Sequence, residues 1–345
     1  MASSGSDPYR GDVTITPIDI HDDAQLKMTY DVSYRAEMLG REDAPNWTYE
    51  EFVGAIRSPD SGERLEMFGA YVDDDLVGVA TLYTFLLDNT DKVWMQLAVD
   101  PPARRQGHGR ALLQHVEEVA TTDGRTVLMT DTKLPFEQVA DHGYRRFVES
   151  AGYEFSNIEV CRYLRLPVDE ELLQSWSDEA AERHPGIVIE TFVDDVPEDL
   201  VPSLCILLGQ LAVDAPTGAV DFEEGAMTPA RFEERRQAVR AMGRTVHETL
   251  AITPERLVVA QSTLAVPLDG GTDVWQWGTF VHREYRGRRL GLAVKAANLR
   301  SVQITHPTMK RVVTQNGETN DHMVSINELM GFEPVEASVE FVKRF

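Results

Sequence analysis

The sequence predicts an α/β (α+β) chain of two tandem domains, each a mixed, mostly antiparallel sheet flanked by helices. Three observations predict it. Residues 93–113 pass from the apolar stretch VWMQLAV through DPPARRQGHGR into an amphipathic run, the pattern of strand, basic turn and helix. Residues 275–300, WQWGTFVHREYRGRRLGLAVKAANLR, repeat it, with Val281 in the place of Val99. Farther on, FVESAGYEF (147–155) finds a partner in INELMGFEP (326–334), with Gly331 in the place of Gly152. Two signals recurring at nearly one offset mark a duplicated unit.

The elements follow in order. Residues 13–18 read as a short strand, and 24–39 and 49–56 carry apolar residues at helical spacing, with Pro45 and Asn46 breaking between them. Residues 67–72 and 77–87 read as strands joined by the acidic turn 73–75, a hairpin signal. The strand 93–99 precedes the basic turn and the helix 110–121 follows it. Residues 126–130 form a buried strand, 143–150 a helix, and 154–166 a strand region ending at Pro167. Residues 168–184 are polar and helical in pattern and close at Pro185-Gly186, a connection between domains. The second half repeats the plan: strand 187–192, helices 197–211 and 230–242, strands 246–252, 257–266 and 273–281, helix 291–304, strand 311–314, helix 320–330 and strand 335–342. The expected organisation is a flexible tail (1–12), an N-terminal domain (13–167), the connection (168–186) and a C-terminal domain (187–345).

Composition narrows the class. A length of 345 residues suits two domains, and 42% hydrophobic residues describe a globular chain. No apolar run is long enough to span a bilayer, and the N-terminus lacks the apolar core of a signal peptide. Cys161 and Cys205 fall in different expected domains and read as reduced small hydrophobes, which fits a cytoplasm. No Cys/His cluster has zinc spacing, so no metal is expected. The formal net charge of -24 repels nucleic acid and anionic membranes and attracts cations such as an amine; it equally suits a solubility role.

The first basic turn carries the chemistry. Gly107 and Gly109 let a ligand approach the backbone, and the following helix offers N–H groups without intrahelical partners. Such a turn accepts a phosphate, with Arg104 and Arg105 as charged donors. No Gly-Lys-Ser/Thr closes it, and it lacks the three glycines of a dinucleotide fingerprint. What remains, Arg-x-x-Gly-x-Gly after a strand, resembles the pyrophosphate loop of GCN5-related N-acetyltransferases (GNAT). The doubled plan is similar to the mycothiol synthases and to tandem acetyltransferases of actinobacteria.

The resemblance implies acetyl-CoA as cofactor and direct acetyl transfer to the primary amine of a small molecule, such as an amino-sugar, an antibiotic or a metabolic amine. It implies that Leu97, Ala98 and Val99 face pantetheine, and that Arg104, Arg105, Gln106, Gly107, His108, Gly109 and Arg110 surround the pyrophosphate. In the second domain the matching positions are Thr279, Phe280, Val281, Gly287, Arg288, Arg289, Leu290, Gly291 and Leu292. Arg289 stands where the first domain has Gly107, and a side chain there either fills the phosphate place or pairs with phosphate. Family members commonly carry an Asn-x-x-Ala-x-x-x-Tyr helix, the Asn for the cofactor arm and the Tyr to protonate the leaving thiolate. Asn320 keeps the first, Asn327 replaces the second, and the first domain has Asp141 and Val148. The acidic segment 214–225 supplies Asp214, Asp221, Glu223 and Glu224 as candidates for the base or the amine-binding group; a solvated acidic loop has the same composition. Two other readings stay open: a protein N-acetyltransferase, and a binding protein that holds acetyl-CoA without turnover, which the missing Tyr favours. The chain is expected to be a monomer or homodimer.

Overall fold

A computed structural model describes residue 9 and residues 11–214 and 218–345; residues 1–8 and 10 of the expected tail and 215–217 of the acidic segment lie outside the described residues. The backbone packs into two compact units, Met1–Asp131 with Val342–Phe345, and Thr132–Phe341.

Unit 1 holds β1 (Val13–Pro17), α1 (Asp23–Met38), α2 (Tyr49–Ile56), β2 (Glu63–Val72), β3 (Asp75–Phe85), β4 (Lys92–Val99), α3 (His108–Thr122) and the start of β5 (Val127–Leu134). Its strands run β1-β2-β3-β4-β5, antiparallel except for the parallel pair β4–β5. Local chemistry sets the helix starts. Asp22 accepts from the N–H groups of Ala24 and Gln25, and Thr48 with Glu51 forms a reciprocal capping box ahead of α2. The β2–β3 hairpin turns through Asp73, whose φ of 53° suits a residue that tolerates left-handed backbone. Leu26, Val32, Ile56, Met67, Leu76 and Val79 form the core between α1, α2 and the sheet.

Unit 2 holds the end of β5, then α4 (Gly143–Glu149), β6 (Glu154–Arg165), α5 (Glu170–Ala181), β7 (Val188–Val193), α6 (Val201–Asp214), α7 (Pro229–Ala241), β8 (Arg244–Ile252), β9 (Val258–Pro267), β10 (Asp273–Val281), α8 (Leu290–Thr305), β11 (Arg311–Gly317), α9 (Asp321–Leu329) and most of β12 (Glu333–Arg344). Strand order is β12-β6-β11-β10-β9-β8-β7, with β10 and β11 parallel. The polar connection of the sequence reading contains α5, whose Leu173 and Trp176 enter a core with Leu264, Val274, Leu292 and Leu299.

Repeat and compact unit are not the same division. In chain order α4 and β6 close the first repeat, yet both lie in unit 2, where β6 pairs antiparallel with β11 from Glu159↔Gly317 to Arg165↔Arg311. Residues 342–345 close the second repeat, yet they pack in unit 1. There Lys343 Nζ lies 2.8 Å from Glu117 and the Phe345 N–H donates to Thr126.

Candidate functional site

Each unit opens its sheet at one place. In unit 1 the parallel register of β4 with β5 runs from Lys92↔Val127 to Met95↔Thr130, while β4 stays paired with β3 as far as Val99↔Gly78. In unit 2 the register of β10 with β11 ends at Trp275↔Val313, while β10 stays paired with β9 as far as Val281↔Ala260. Beyond Met95 and Trp275 one side of each strand therefore turns unshared backbone groups toward the gap. Leu97, Ala98 and Val99 lie on the first such stretch, and Thr279, Phe280 and Val281 on the second. A polar chain carrying amides can pair there as an added strand.

A turn stands at the end of each open stretch. In unit 1, Arg104 is the latch: its Nε donates to the Val99 carbonyl at 3.0 Å and its Nη2 to Ala36 at 3.3 Å. Arg35 of α1 reinforces this through Asp100, at 2.6 Å. Arg105 has φ 67° and Gly107 φ 99°, so the chain reaches α3 through left-handed backbone. A Cβ built on Gly107 would meet nothing within 4 Å. That glycine thus opens the turn outward, and a side chain there would occupy the space in front of the helix N-terminus. Arg105 and Arg110 are exposed beside it, while His108 is buried with Nε2 3.1 Å from the Tyr9 carbonyl. Arg104 and His108 thus build the turn, and Arg105, Arg110 and the backbone face the solvent. Gln106 and Gly109 are half-buried.

Unit 2 reproduces the latch with other partners. Arg286, the counterpart of Arg104 in the second repeat, donates from Nε to Val281 at 3.3 Å and from Nη2 to Asp214 at 2.7 Å. Arg283 holds the other oxygen of Asp214 at 2.8 Å. Asp214, a candidate base from sequence, is thus saturated by two guanidinium groups; Asp221, Glu223 and Glu224 are exposed on an irregular segment. Gly287 keeps a positive φ with open space beyond it. Arg289 takes the left-handed N-cap of α8 at φ 57°, and its guanidinium lies 2.7 Å from Glu179 of α5. Arg288 stacks on Tyr285, Leu290 and Leu292 enter the core, and Gly291 lies against Ile326. Asn320 caps α9 by accepting from the Met323 N–H at 3.3 Å, and Asn327 is fully buried, accepting from Lys295 Nζ at 2.8 Å.

The sequence reading missed the buried polar groups on the sheet face under α7. Glu248 of β8 is 4% exposed, and its oxygens accept from Thr263 of β9 at 2.9 and 3.1 Å. Burial pushes its carboxyl up to about 7. Arg236 of α7 lies close enough to act on that charge, and burial holds its guanidinium below the usual range. Arg236 stacks 5.4 Å from the Phe232 ring, makes no ion pair among the described residues, and its buried Nη2 has no hydrogen-bond partner there. Glu248, Thr263 and Gly278 form one row across β8, β9 and β10. At the end of this row Trp277 is an extra residue in β10, a bulge clamped by Gln276 Nε2 donating to the Thr263 and Gly278 carbonyls at 2.8 Å. The bulge breaks the strict alternation of β10 between Gln276 and Gly278. The corresponding row of the first repeat is Met67, Thr81 and Gln96. The available signal was Glu248 alternating with Val246 and Leu250 along one face of β8.

No helix among the described residues is long and apolar enough to cross a membrane. Comparison with known proteins completes the picture. Residues 26–148 match the model of the acetyltransferase (GNAT) family. No curated protein sequence matches the chain significantly. Among solved structures, a tandem GNAT protein from the clavulanic acid biosynthesis pathway shares 22% identity over 96% of this chain and 98% of its own, with a TM-score of 0.76. A GCN5-related N-acetyltransferase from Sphaerobacter thermophilus shares 16% identity over 96% and 95%, at 0.63. A glucosamine N-acetyltransferase region of a fungal β-N-acetylglucosaminidase shares 12% over 96% of this chain and 38% of that one, at 0.65.

Proposed function

We propose, from the match of residues 26–148 to the GNAT family model and the likeness of the whole chain to a tandem GNAT fold, that it is an acetyl-CoA-dependent N-acetyltransferase acting on a small primary amine. The observation that carries this reading is the doubled arrangement of an opened strand ending in a left-handed turn at a helix N-terminus. The residues fit the cofactor. Backbone at 96–99 and 278–281 would pair with the amides of pantetheine. The α3 and α8 N-termini would hold the pyrophosphate, with Arg105 and Arg110 adding charge at the first. The open space beyond Gly107 and Gly287 is what a phosphate needs. When bound, acetyl-CoA supplies a thioester carbonyl open to attack by a neutral amine.

The two units support different roles. In unit 1 Met67 lies in the apolar core and its row with Thr81 and Gln96 holds no carboxylate, so this unit is suited to holding cofactor without transfer. In unit 2 a carboxylate lies in the row that ends at the opened strand. A small acceptor fits the buried setting of that row better than a protein chain does, and the net charge of -24 draws cationic amines inward.

Calorimetric titration with acetyl-CoA tests the reading. Wild type should show two sites, and Gly107→Trp should weaken the unit 1 site about 100-fold, ~2.7 kcal/mol, while the other persists. Absence of acetyl-CoA binding in wild type would overturn it.

A further inference from the structure

Glu248 and Arg236 pose a problem of stability that the fold does not solve. A buried guanidinium without an ion pair and a buried carboxylate bonded only to a threonine are both costly arrangements. Replacing them with apolar residues would suit the surrounding core, which contains Leu204, Leu250 and Phe232. Their charges are opposite and mutually felt, yet they do not close on one another. Arg236 presents its face to Phe232, and its buried Nη2 remains a donor without an acceptor. The Glu248 carboxylate accepts from the Thr263 hydroxyl of β9, the strand that pairs directly with the opened strand β10. The bulge at Trp277 and the missing side chain at Gly278 lie at that end of the row.

We infer that this cluster is the acceptor site of unit 2 and that it takes a primary amine bearing an anionic group, a carboxylate or a phosphate, with Glu248 receiving the ammonium and Arg236 the anion. This rests on the transferase reading above. One buried charge of each sign, held apart, complements a short zwitterion, whereas a simple amine would leave Arg236 unpaired. Glu248 takes one proton from the ammonium and passes it to water. The freed lone pair forms the C–N bond to the acetyl carbonyl as the C–S bond breaks. The electron pair leaves with sulfur, and the second proton lost by nitrogen neutralises the thiolate.

The test measures CoA release with acetyl-CoA and matched amines: β-alanine and phosphoethanolamine against propylamine and ethanolamine. Binding of β-alanine and phosphoethanolamine to the protein is followed separately by calorimetry. Wild type should prefer one or both anionic amines at least tenfold, and the better one names the anion. Arg236→Met should raise KM and Kd for that amine at least tenfold, while any change with the neutral amines is at least fivefold smaller. Glu248→Gln should lower kcat for every accepted amine about 100-fold, within the range for general base catalysis. If Arg236→Met does not fold, Arg236→Lys is used; a threefold or larger loss confined to anionic amines is then expected. Equal use of neutral amines, an equal effect on both classes, or no turnover of any anionic amine by protein that binds acetyl-CoA overturns the acceptor assignment and leaves the cofactor reading standing. Failure to bind acetyl-CoA overturns the transferase reading itself.

Discussion

The two basic turns differ in how each is latched and in what stands at its crest. In unit 1 an arginine of the helix, Arg35, meets an aspartate at the strand end, Asp100; in unit 2 the signs reverse, and Asp214 of the helix meets Arg283 and Arg286. At the crest, Gly107 reaches φ 99° without steric cost, while Arg289 adopts φ 57° against a penalty of about 1–2 kcal/mol. The sheet rows differ in the opposite direction: Met67 completes an apolar core, Glu248 interrupts one. The duplication thus kept the same backbone twice and divided the side chains, with the open glycine crest in one copy and the buried charges in the other.

Exchanging the differences tests this division. The largest effect is expected at the rows. Met67→Glu should destabilise unit 1 by ~3 kcal/mol, the cost of burying an unpaired polar group, read from urea unfolding. Glu248→Gln should do the reverse as pH rises. The folded carboxyl titrates near 7 and its ordinary value is 4.5, so its contribution is fully present below 4.5 and lost as pH rises through 7. Melting curves should therefore show the variant gaining on wild type between pH 5 and pH 8; a constant difference would mean that the carboxylate is solvated.

The crest comes next. Arg289→Gly should relieve the left-handed strain and open the second turn, raising acetyl-CoA affinity at that site about tenfold, ~1.4 kcal/mol. A fall in affinity would show that Arg289 leaves Glu179 to pair with phosphate. The latch is the smallest. Asp214→Asn should cost about 1 kcal/mol in stability, because both arginines are half-exposed, and added salt should shrink the difference.

The turn and the element order were readable because short-range rules fix them. Gly107, the capping box at Thr48 and the apolar period of α3 act within a few residues. The long offset between Val99 and Val281 then revealed the duplication. Cross-strand facts were not readable in the same way. That Glu248 shares a row with Thr263 depends on a register set by packing, and the bulge at Trp277 shifts it by one. The acidic segment attracted attention by composition, yet Asp214 spends its charge on the latch. The fate of Arg289 was likewise hidden, since its partner Glu179 sits on α5, far back along the chain.

The segments that cross between the units have a consequence for biogenesis. During synthesis the ribosome delivers residues 1–131 long before 342–345, and it delivers β6 before its partner β11. The first repeat therefore emerges with one of its strands waiting and with its own unit lacking Lys343 and Phe345. A chain halted near residue 167 would expose the edge of β6 and behave as a client for chaperones, so the arrival of residues 311–317 decides when that edge is protected from aggregation.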